Sequence, residues 1–406
     1  ALMFFPTIAL GMILPILIKM ISRSHQNIGK GTGLIYGANT FGAILGSLSA
    51  GFFLLPRLGV QQSLLLVATL NLIMMLYLFR TSSYLTSALR KMMTVVLAGI
   101  IVAVNMGMPS DLLDRFFMRD STGHRDINKL LYFKEGLTDT VAVFKDNYGI
   151  LDPDAKRLIT NGLSMSAANF IASRYMKLLA HTPIMLVDNP KDILVVCFGT
   201  GQTTGAAAAH PKVKSVDSID LSENVVQAGN IFSSHNYNAL KNKKVNIIIE
   251  DGRNHLLTTQ KMYDVITSEP PPPRTAHTVN LYTKEYYEIA QTRLKPGGIM
   301  AQWVPLHSQS KNEVFMHFKT FLSVFPHAMA WMPVANEILI IGSNSPINID
   351  LKELRERFSD PVVSSLMKEI QISDEFLFLG NIWFLEDQMN ELSKTQPIIT
   401  DNRPSI

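Results

Sequence analysis

The residues best suited to chemistry in this chain lie between positions 192 and 270. Gly199, Gly201 and Gly205 form a G-x-G-x-x-x-G run directly after the apolar stretch Asp192–Phe198. Glycines in such a turn let the backbone approach a ligand and let the next helix begin close to the strand. Asp220 ends the following apolar stretch, 19 residues after Gly201, where a carboxylate can accept from both hydroxyls of a ribose. Asp251-Gly252 ends the third stretch, where an acid can accept from an adenine amino group. The glycine spacing departs from the G-x-G-x-x-G dinucleotide fingerprint. An adenosyl ligand without a pyrophosphate therefore fits better than a dinucleotide. Turn glycines and solvated acids are the bland alternative, and the concurrence of all these residues at strand ends outweighs it.

Other side chains weigh less. Tyr282, Tyr286 and Tyr287 share a helical spacing, and core packing is expected of at least two of them. Trp303 at a strand end suits an acceptor pocket and a packing role equally. His307 is a lone loop histidine, for which a surface position is the default. Cys197, inside the first strand, is expected to be buried and inert. Arg274 and His277 either close over a substrate or are solvated. A single cysteine excludes a disulfide framework and a cysteine zinc cluster, and no metal site is expected.

An alternation of strands and helices must position these residues. Strands are predicted at Asp192–Phe198, Ser215–Asp220, Val245–Glu250, Tyr263–Ser268, Ile299–Trp303 and Glu337–Gly342. Helices are predicted at Glu223–Phe232, Arg253–Thr259, Thr283–Leu294 and Val314–Phe325. That order implies a doubly wound sheet with its ligand at the carboxyl ends of the strands. Upstream, short strands at Leu131–Lys134, Thr140–Lys145 and Arg157–Thr160 suggest a small β-hairpin lid, followed by a helix over Ala167–Leu179.

The first part of the chain differs. Residues 1–110 hold seven Lys or Arg and no Asp or Glu, so of the formal net charge of +4 the remainder contributes −3. Ala1–Ile18, Gly31–Pro56, Leu58–Phe79 and Met92–Ser110 are free of charge and near the length of a membrane span, which predicts about four spans. Gly42 and Gly46 form a GxxxG pair suited to close helix packing within the chain. Asn39, Asn71 and Asn105 read as helix–helix hydrogen-bonding groups. No folded basic face suggests nucleic acid; the expected partners are the lipid bilayer and a small molecule. The chain begins inside an apolar run, as a fragment of a larger membrane region would. The organisation predicted is transmembrane helices over 1–110, a β-hairpin domain with a connecting helix over 125–185, a Rossmann-like domain over 186–345, and a helical extension over 346–406.

Asp192–Gly205, Asp220–Val226, Asp251-Gly252-Arg253, Tyr263–Ile266 and Leu294–Ile299 together resemble the spermidine synthase (polyamine aminopropyltransferase) family. Tyr132–Gly136, Asn161-Gly162 and His181-Thr182-Pro183 resemble that family's N-terminal β-domain and connecting helix. Tyr36–Gly42, Leu55–Gly59 and Thr400–Pro404 are similar to bacterial proteins that fuse a major-facilitator-like membrane region to such a domain. The resemblance implies a methyltransferase-type, seven-stranded sheet and decarboxylated S-adenosylmethionine as co-substrate. The nucleoside would lie over Gly199 and Gly201, with Asp220 at the ribose and Asp251 at the adenine. Glu269 falls where the family places the aspartate that takes the proton of the attacking amine, and Tyr175 and Tyr282 fall to substrate binding.

The departures are as informative. The family's loop carries a second acid three positions after the first; here Pro272 stands in its place. Its Asp-Glu pair before the connecting-helix tyrosine falls at Ile171 and Ala172, and Met176 and Lys177 follow Tyr175. A site for a dication that lacks several acids leaves three functions open. The first is aminopropyl transfer to an amine. The second is methyl transfer from S-adenosylmethionine. The third is a transporter whose C-terminal domain binds a nucleoside or polyamine without turnover. A homodimer is expected by resemblance, although the spans stand against it. Six Lys or Arg at 19–30 and 80–91, against four made up of Arg57, Arg115, Arg119 and Arg125, would place the α/β domain outside. A cytosolic co-substrate points the other way, so a multi-pass protein of the bacterial inner membrane with a cytoplasmic α/β domain is the expectation.

Overall fold

The computed structural model describes residues 4–21, 28–82, 85–109, 130–136, 139–146, 152–275, 278–307 and 309–406. The chain divides into two compact units: residues 1–116 with 135–137, and the remainder. His277, Arg115, Arg119 and Arg125 lie outside the described residues.

The first unit is helical: α1 (Phe4–Ile21), α2 (Ile28–Ser49), α3 (Leu55–Thr81) and α4 (Ser87–Gly107). The predicted second and third spans are one helical run, joined by a π-helical stretch at Ala50–Leu54 and bent at Gly59, whose φ of 74° leaves the helical region. By length and composition Gly29–Thr81 and Ser87–Gly107 are long and apolar enough to cross a membrane, and the apolar part of α1, Thr7–Met20, is shorter. Apolar side chains project outward along all four helices, among them Leu10, Phe41, Leu70 and Val95. Asn105 Nδ2 donates to Thr69 Oγ1 at 3.0 Å, a hydrogen bond between α4 and α3, whereas Asn71 bonds Val67 O of its own helix at 2.9 Å. The packing expected at Gly42 and Gly46 is not formed among the described residues: a Cβ at either would meet nothing within 4 Å.

The second unit holds two sheets, apart from Glu135 at the end of the first strand. The strands β1 (Leu130–Glu135), β2 (Thr140–Lys145), β3 (Lys156–Thr160) and β4 (Leu163–Ala168) lie in that order, with β2–β3 and β3–β4 antiparallel. The hairpin lid is thus a four-stranded sheet, and β4 occupies residues expected to be loop and helix. The connecting helix α5 (Phe170–Leu186) begins three residues later than predicted, where Asn169 accepts from Ala172 N at 2.9 Å.

The large sheet comprises β5 (Asp192–Val196), β6 (Ser215–Asp220), β7 (Val245–Ile249), β8 (Tyr263–Ser268), β9 (Leu294–Pro305), β10 (His327–Val334), β11 (Glu337–Ser343) and β12 (Ile382–Phe384). Its order is β12-β10-β11-β9-β8-β5-β6-β7. Strands β7, β6, β5, β8 and β9 run parallel, and β11, β10 and β12 continue antiparallel. The expected seven strands are eight, because the C-terminal extension adds the three-residue β12 to the edge. Along β5, Ile193 and Val195 enter one buried layer while Leu194 and Val196 enter the other, as a sheet covered on both faces requires. The helices between these strands are α6 (Gln202–Ala209), α7 (Glu223–Ala228), α8 (Gly252–Thr258), α9 (Lys284–Gln291) and α10 (Lys311–Leu322). The extension adds α11 (Leu351–Ser359), α12 (Pro361–Glu369), α13 (Glu375–Leu379) and α14 (Glu386–Ser393). The chain reverses its winding between β5 and β8, so the carboxyl ends of these two strands face a crevice.

Candidate active site

A cavity of about 330 Å³ occupies that crevice. Gly199, Asp220, Asp251, Gly252 and Glu269 line it, five of the eight residues expected to form a site. Gly201, Tyr175 and Tyr282 are not in its wall. Asp139 from the β-domain and Glu250 are, and with them five carboxylates face the cavity. Among its described lining residues there is no Lys, Arg or His.

The turn from β5 into α6 shapes the floor. Cys197 has φ 73°, Gly199 φ 54° and Gly201 φ 77°. Cys197 thus lies past the strand rather than within it, and its thiol lines the cavity, held protonated chiefly by burial and secondarily by Asp220, Glu269 and Asp251. Gly205 serves packing: a Cβ there would stand 1.9 Å from the carbonyl oxygen of Asn236. Asp220 ties the turn together. Its Oδ2 accepts from Phe198 N at 2.9 Å and Gly199 N at 3.4 Å, and its Oδ1 accepts from Ser222 N at 2.9 Å. Burial raises its pKa against those hydrogen bonds. Asp251 caps α8 by accepting from Asn254 N at 2.8 Å, and the neighbouring Glu250 pairs with His255 Nδ1 at 3.0 Å.

Glu269 follows β8 directly, and its N–H continues the ladder to Val196 O at 3.1 Å. Its carboxylate is half-buried and hydrogen-bonded. Thr203 Oγ1 donates to Oε2 at 3.2 Å, and the Tyr175 hydroxyl donates to the same group. Burial dominates and pushes its pKa up to about 8; the two hydrogen bonds pull it down, and the charge of Glu337 adds to the rise.

Glu337 escaped sequence reasoning. It opens β11 after a turn at Asn336 (φ 69°), and its partner in the ladder is Pro305 of β9. Trp303 Nε1 donates to Glu337 Oε2 at 2.7 Å, and His307 Nδ1 stands 3.5 Å from Oε1. Burial pushes Glu337 up to about 7, against the hydrogen bond from Trp303. The Trp303 indole lies nearly parallel to the Tyr175 ring, 6.2 Å between centroids and 14° between planes. The sequence signal was an acid opening an otherwise apolar run, Ile338–Ile341, just after a turn residue.

The remaining expectations fall as follows. Tyr282 is fully buried beneath the proline loop, with its hydroxyl 3.3 Å from the carbonyl oxygens of both Pro270 and Pro271 and its ring against His317. It therefore positions the loop rather than lining the pocket. Tyr286 donates to Ser268 Oγ at 3.1 Å and Tyr287 packs on Phe321, both in the core as expected. Arg274 is paired with Glu313 at 2.8 Å.

Comparison with known proteins gives the family and the fold. The family model described as the spermine/spermidine synthase domain matches residues 172–347. A polyamine aminopropyltransferase of Methanocaldococcus jannaschii is 34% identical over 226 residues, covering 53% of this chain and 76% of that protein. One of Oceanobacillus iheyensis is 26% identical over 302 residues, covering 71% of this chain but only 55% of that protein. The spermidine synthase of Thermotoga maritima shares the fold with a TM-score of 0.54 at 17% identity, over 66% of this chain and 88% of that one. A spermidine synthase solved with the transition-state analogue AdoDATO has a TM-score of 0.53, also at 17% identity and over the same shares of the two chains.

Proposed function

Because this chain belongs to the spermine/spermidine synthase family, we propose that it is a membrane-anchored transferase that moves an aminopropyl group from decarboxylated S-adenosylmethionine to a small amine. The observation that carries this reading is the wall of the cavity: five carboxylates and, among its described residues, no basic side chain. Such a wall suits ligands that are cationic throughout, a sulfonium and a polyamine. It suits S-adenosylmethionine poorly, since that cofactor's own carboxylate would enter a field of acids.

Each residue then has a task. The nucleoside lies over Gly199, with Asp220 accepting from the ribose and Asp251 from the adenine. The amine enters beside Glu269. An alkylamine is protonated at neutral pH, and only its free form is a nucleophile. A carboxyl with a pKa near 8 lies closer to an alkylamine than an ordinary glutamate does, which makes the ionised Glu269 a competent base. The amine lone pair attacks the carbon bonded to the sulfonium, the carbon–sulfur bond breaks, and its electron pair stays on sulfur. The proton of the attacking nitrogen passes to Glu269. The leaving thioether is neutral and needs no acid. Tyr175 and Thr203 hold the carboxylate in place, and Tyr282 holds the loop that carries it.

Membrane anchoring rests on the apolar, outward-facing surfaces of α1–α4, whose cover in a bilayer would be lipid or other helices. A cytosolic co-substrate supports a cytoplasmic α/β unit on a bacterial inner-membrane protein, and the sequence motifs support a major-facilitator-like origin for the helices. The test is incubation of the full chain in detergent with the decarboxylated co-substrate and linear diamines. Methylthioadenosine and an aminopropylated amine are expected. Methyl transfer from S-adenosylmethionine, or tight nucleoside binding without either product, would replace this reading with one of its rivals.

A further inference from the structure

Trp303 stands at a boundary. Its indole is part of the cavity wall together with Glu269, yet its N–H points away from the cavity to Glu337, and Glu337 is not among the lining residues. Glu269 therefore lies in the cavity wall, and Glu337 lies outside it at the N–H edge of a ring that belongs to the wall. Both have pKa values raised by burial, Glu269 to about 8 and Glu337 to about 7, and each lacks a Lys or Arg partner among the described residues. Buried acids without cations are costly, and a cationic ligand is the group that repays them. A ligand in the cavity meets Glu269 and the Trp303 ring, whereas Glu337 is hydrogen-bonded to that ring from outside the lining.

We infer that Trp303 sets the length of the acceptor: its indole walls the amine site at Glu269, and behind it Glu337 is a second ammonium site reached only when the ring is moved or removed. This rests on the transfer reaction proposed above. With the ring in place the site holds a short diamine, whose remaining ammonium lies against the indole face. With the ring gone, the space it leaves connects Glu269 to Glu337. A longer triamine can then seat one nitrogen at the base and a second on Glu337. The half-exposed His307 ring, next to both Glu337 and the Trp303 ring, borders that extended site toward solvent.

The test compares a linear diamine with a linear triamine on the full chain in detergent, reading the ratio of their kcat/KM values. The wild-type protein should favour the diamine. Trp303→Ala should shift the ratio toward the triamine by about tenfold or more, the worth of one hydrogen-bonded charge pair. Adding Glu337→Gln to that variant should return the ratio to within about threefold of its starting value. Trp303→Phe keeps a ring on Tyr175 but loses the N–H, and should fall between. A ratio unmoved by Trp303→Ala, or moved equally with and without Glu337, overturns the inference. If Trp303→Ala no longer binds nucleoside by calorimetry, Trp303→Phe with and without Glu337→Gln decides in its place. If the wild-type chain forms no product with any amine, the transfer reading fails separately. The same variants titrated with diamine and triamine in calorimetry then still show whether the ring screens Glu337.

Discussion

Replacing Glu269 by glutamine should stabilise the protein while abolishing its chemistry, and the size of the gain should depend on pH. The structure half-buries the Glu269 carboxyl in the cavity wall and raises its pKa from 4.5 to about 8. For an acid whose folded pKa lies above its unfolded one, the native state keeps a proton that the unfolded chain has released. Stability therefore falls as pH rises from about 4.5 to about 8 and is flat beyond. A rise of this size, at 1.36 kcal/mol per pH unit, corresponds to about 3–5 kcal/mol once native-state relaxation is allowed for. Glutamine is nearly isosteric, carries no charge, and can still accept from Thr203 Oγ1. The variant and the wild-type chain should melt together near pH 5. Near pH 9 the variant should melt higher by on the order of 10 °C for a unit of this size. Melts of ligand-free full chain at matched scan rates, followed by tryptophan fluorescence, read the difference. A gap that is the same at every pH, or a variant that is less stable at pH 9, would refute the claim that burial strains this carboxylate. The same preparation should retain nucleoside binding and lose amine transfer, since the strained group is the base.

Three further outcomes follow from the same geometry. The kcat/KM of the wild-type chain for an amine should rise with pH through the titration of Glu269 near pH 8, and Glu337→Gln should move that limb to lower pH by removing a neighbouring like charge. Gly205→Ala should cost on the order of 3 kcal/mol or more and weaken nucleoside binding, because its Cβ meets the Asn236 carbonyl 1.9 Å away and backbone cannot yield as a flexible side chain does; denaturant titration and calorimetry read both. Tyr282→Phe removes the hydroxyl bonded to Pro270 and Pro271, so it should cost about 1 kcal/mol and lower kcat more than it changes nucleoside affinity, since the loop carrying Glu269 loses its tether.

The parallel core of the fold was legible because buried strands read as continuous apolar runs: β6 and β8 lie where the pattern puts them. The acids at the strand ends were legible for the same reason, since Asp220, Asp251 and Glu269 each close such a run. Legibility failed where antiparallel or edge pairing decides. β10 contains Pro333 and alternates unevenly, and β12 is a three-residue edge strand delivered by the extension. β9 runs through Lys295-Pro296-Gly297-Gly298, which reads as a turn, because positive φ at Gly297 bends the strand without ending it. Glu337 was hidden for a related reason. It reaches the site across the β9–β11 pairing, 68 residues after Glu269, and nothing local in its sequence indicates that Trp303 will be its partner. Two carboxylates that the sequence did not single out thus stand by the site: Asp139 of the β-domain in the cavity wall, and Glu337 behind the indole.

The most direct measurement is mass spectrometry of the amine after incubation with decarboxylated S-adenosylmethionine and the full chain, wild type beside Glu269→Gln. Addition of one aminopropyl group by the wild-type chain, matched mole for mole by methylthioadenosine and absent with the variant, is the predicted result. An unmodified amine with the wild-type chain, or equal transfer by both proteins, would contradict the assignment of this cavity and of its base.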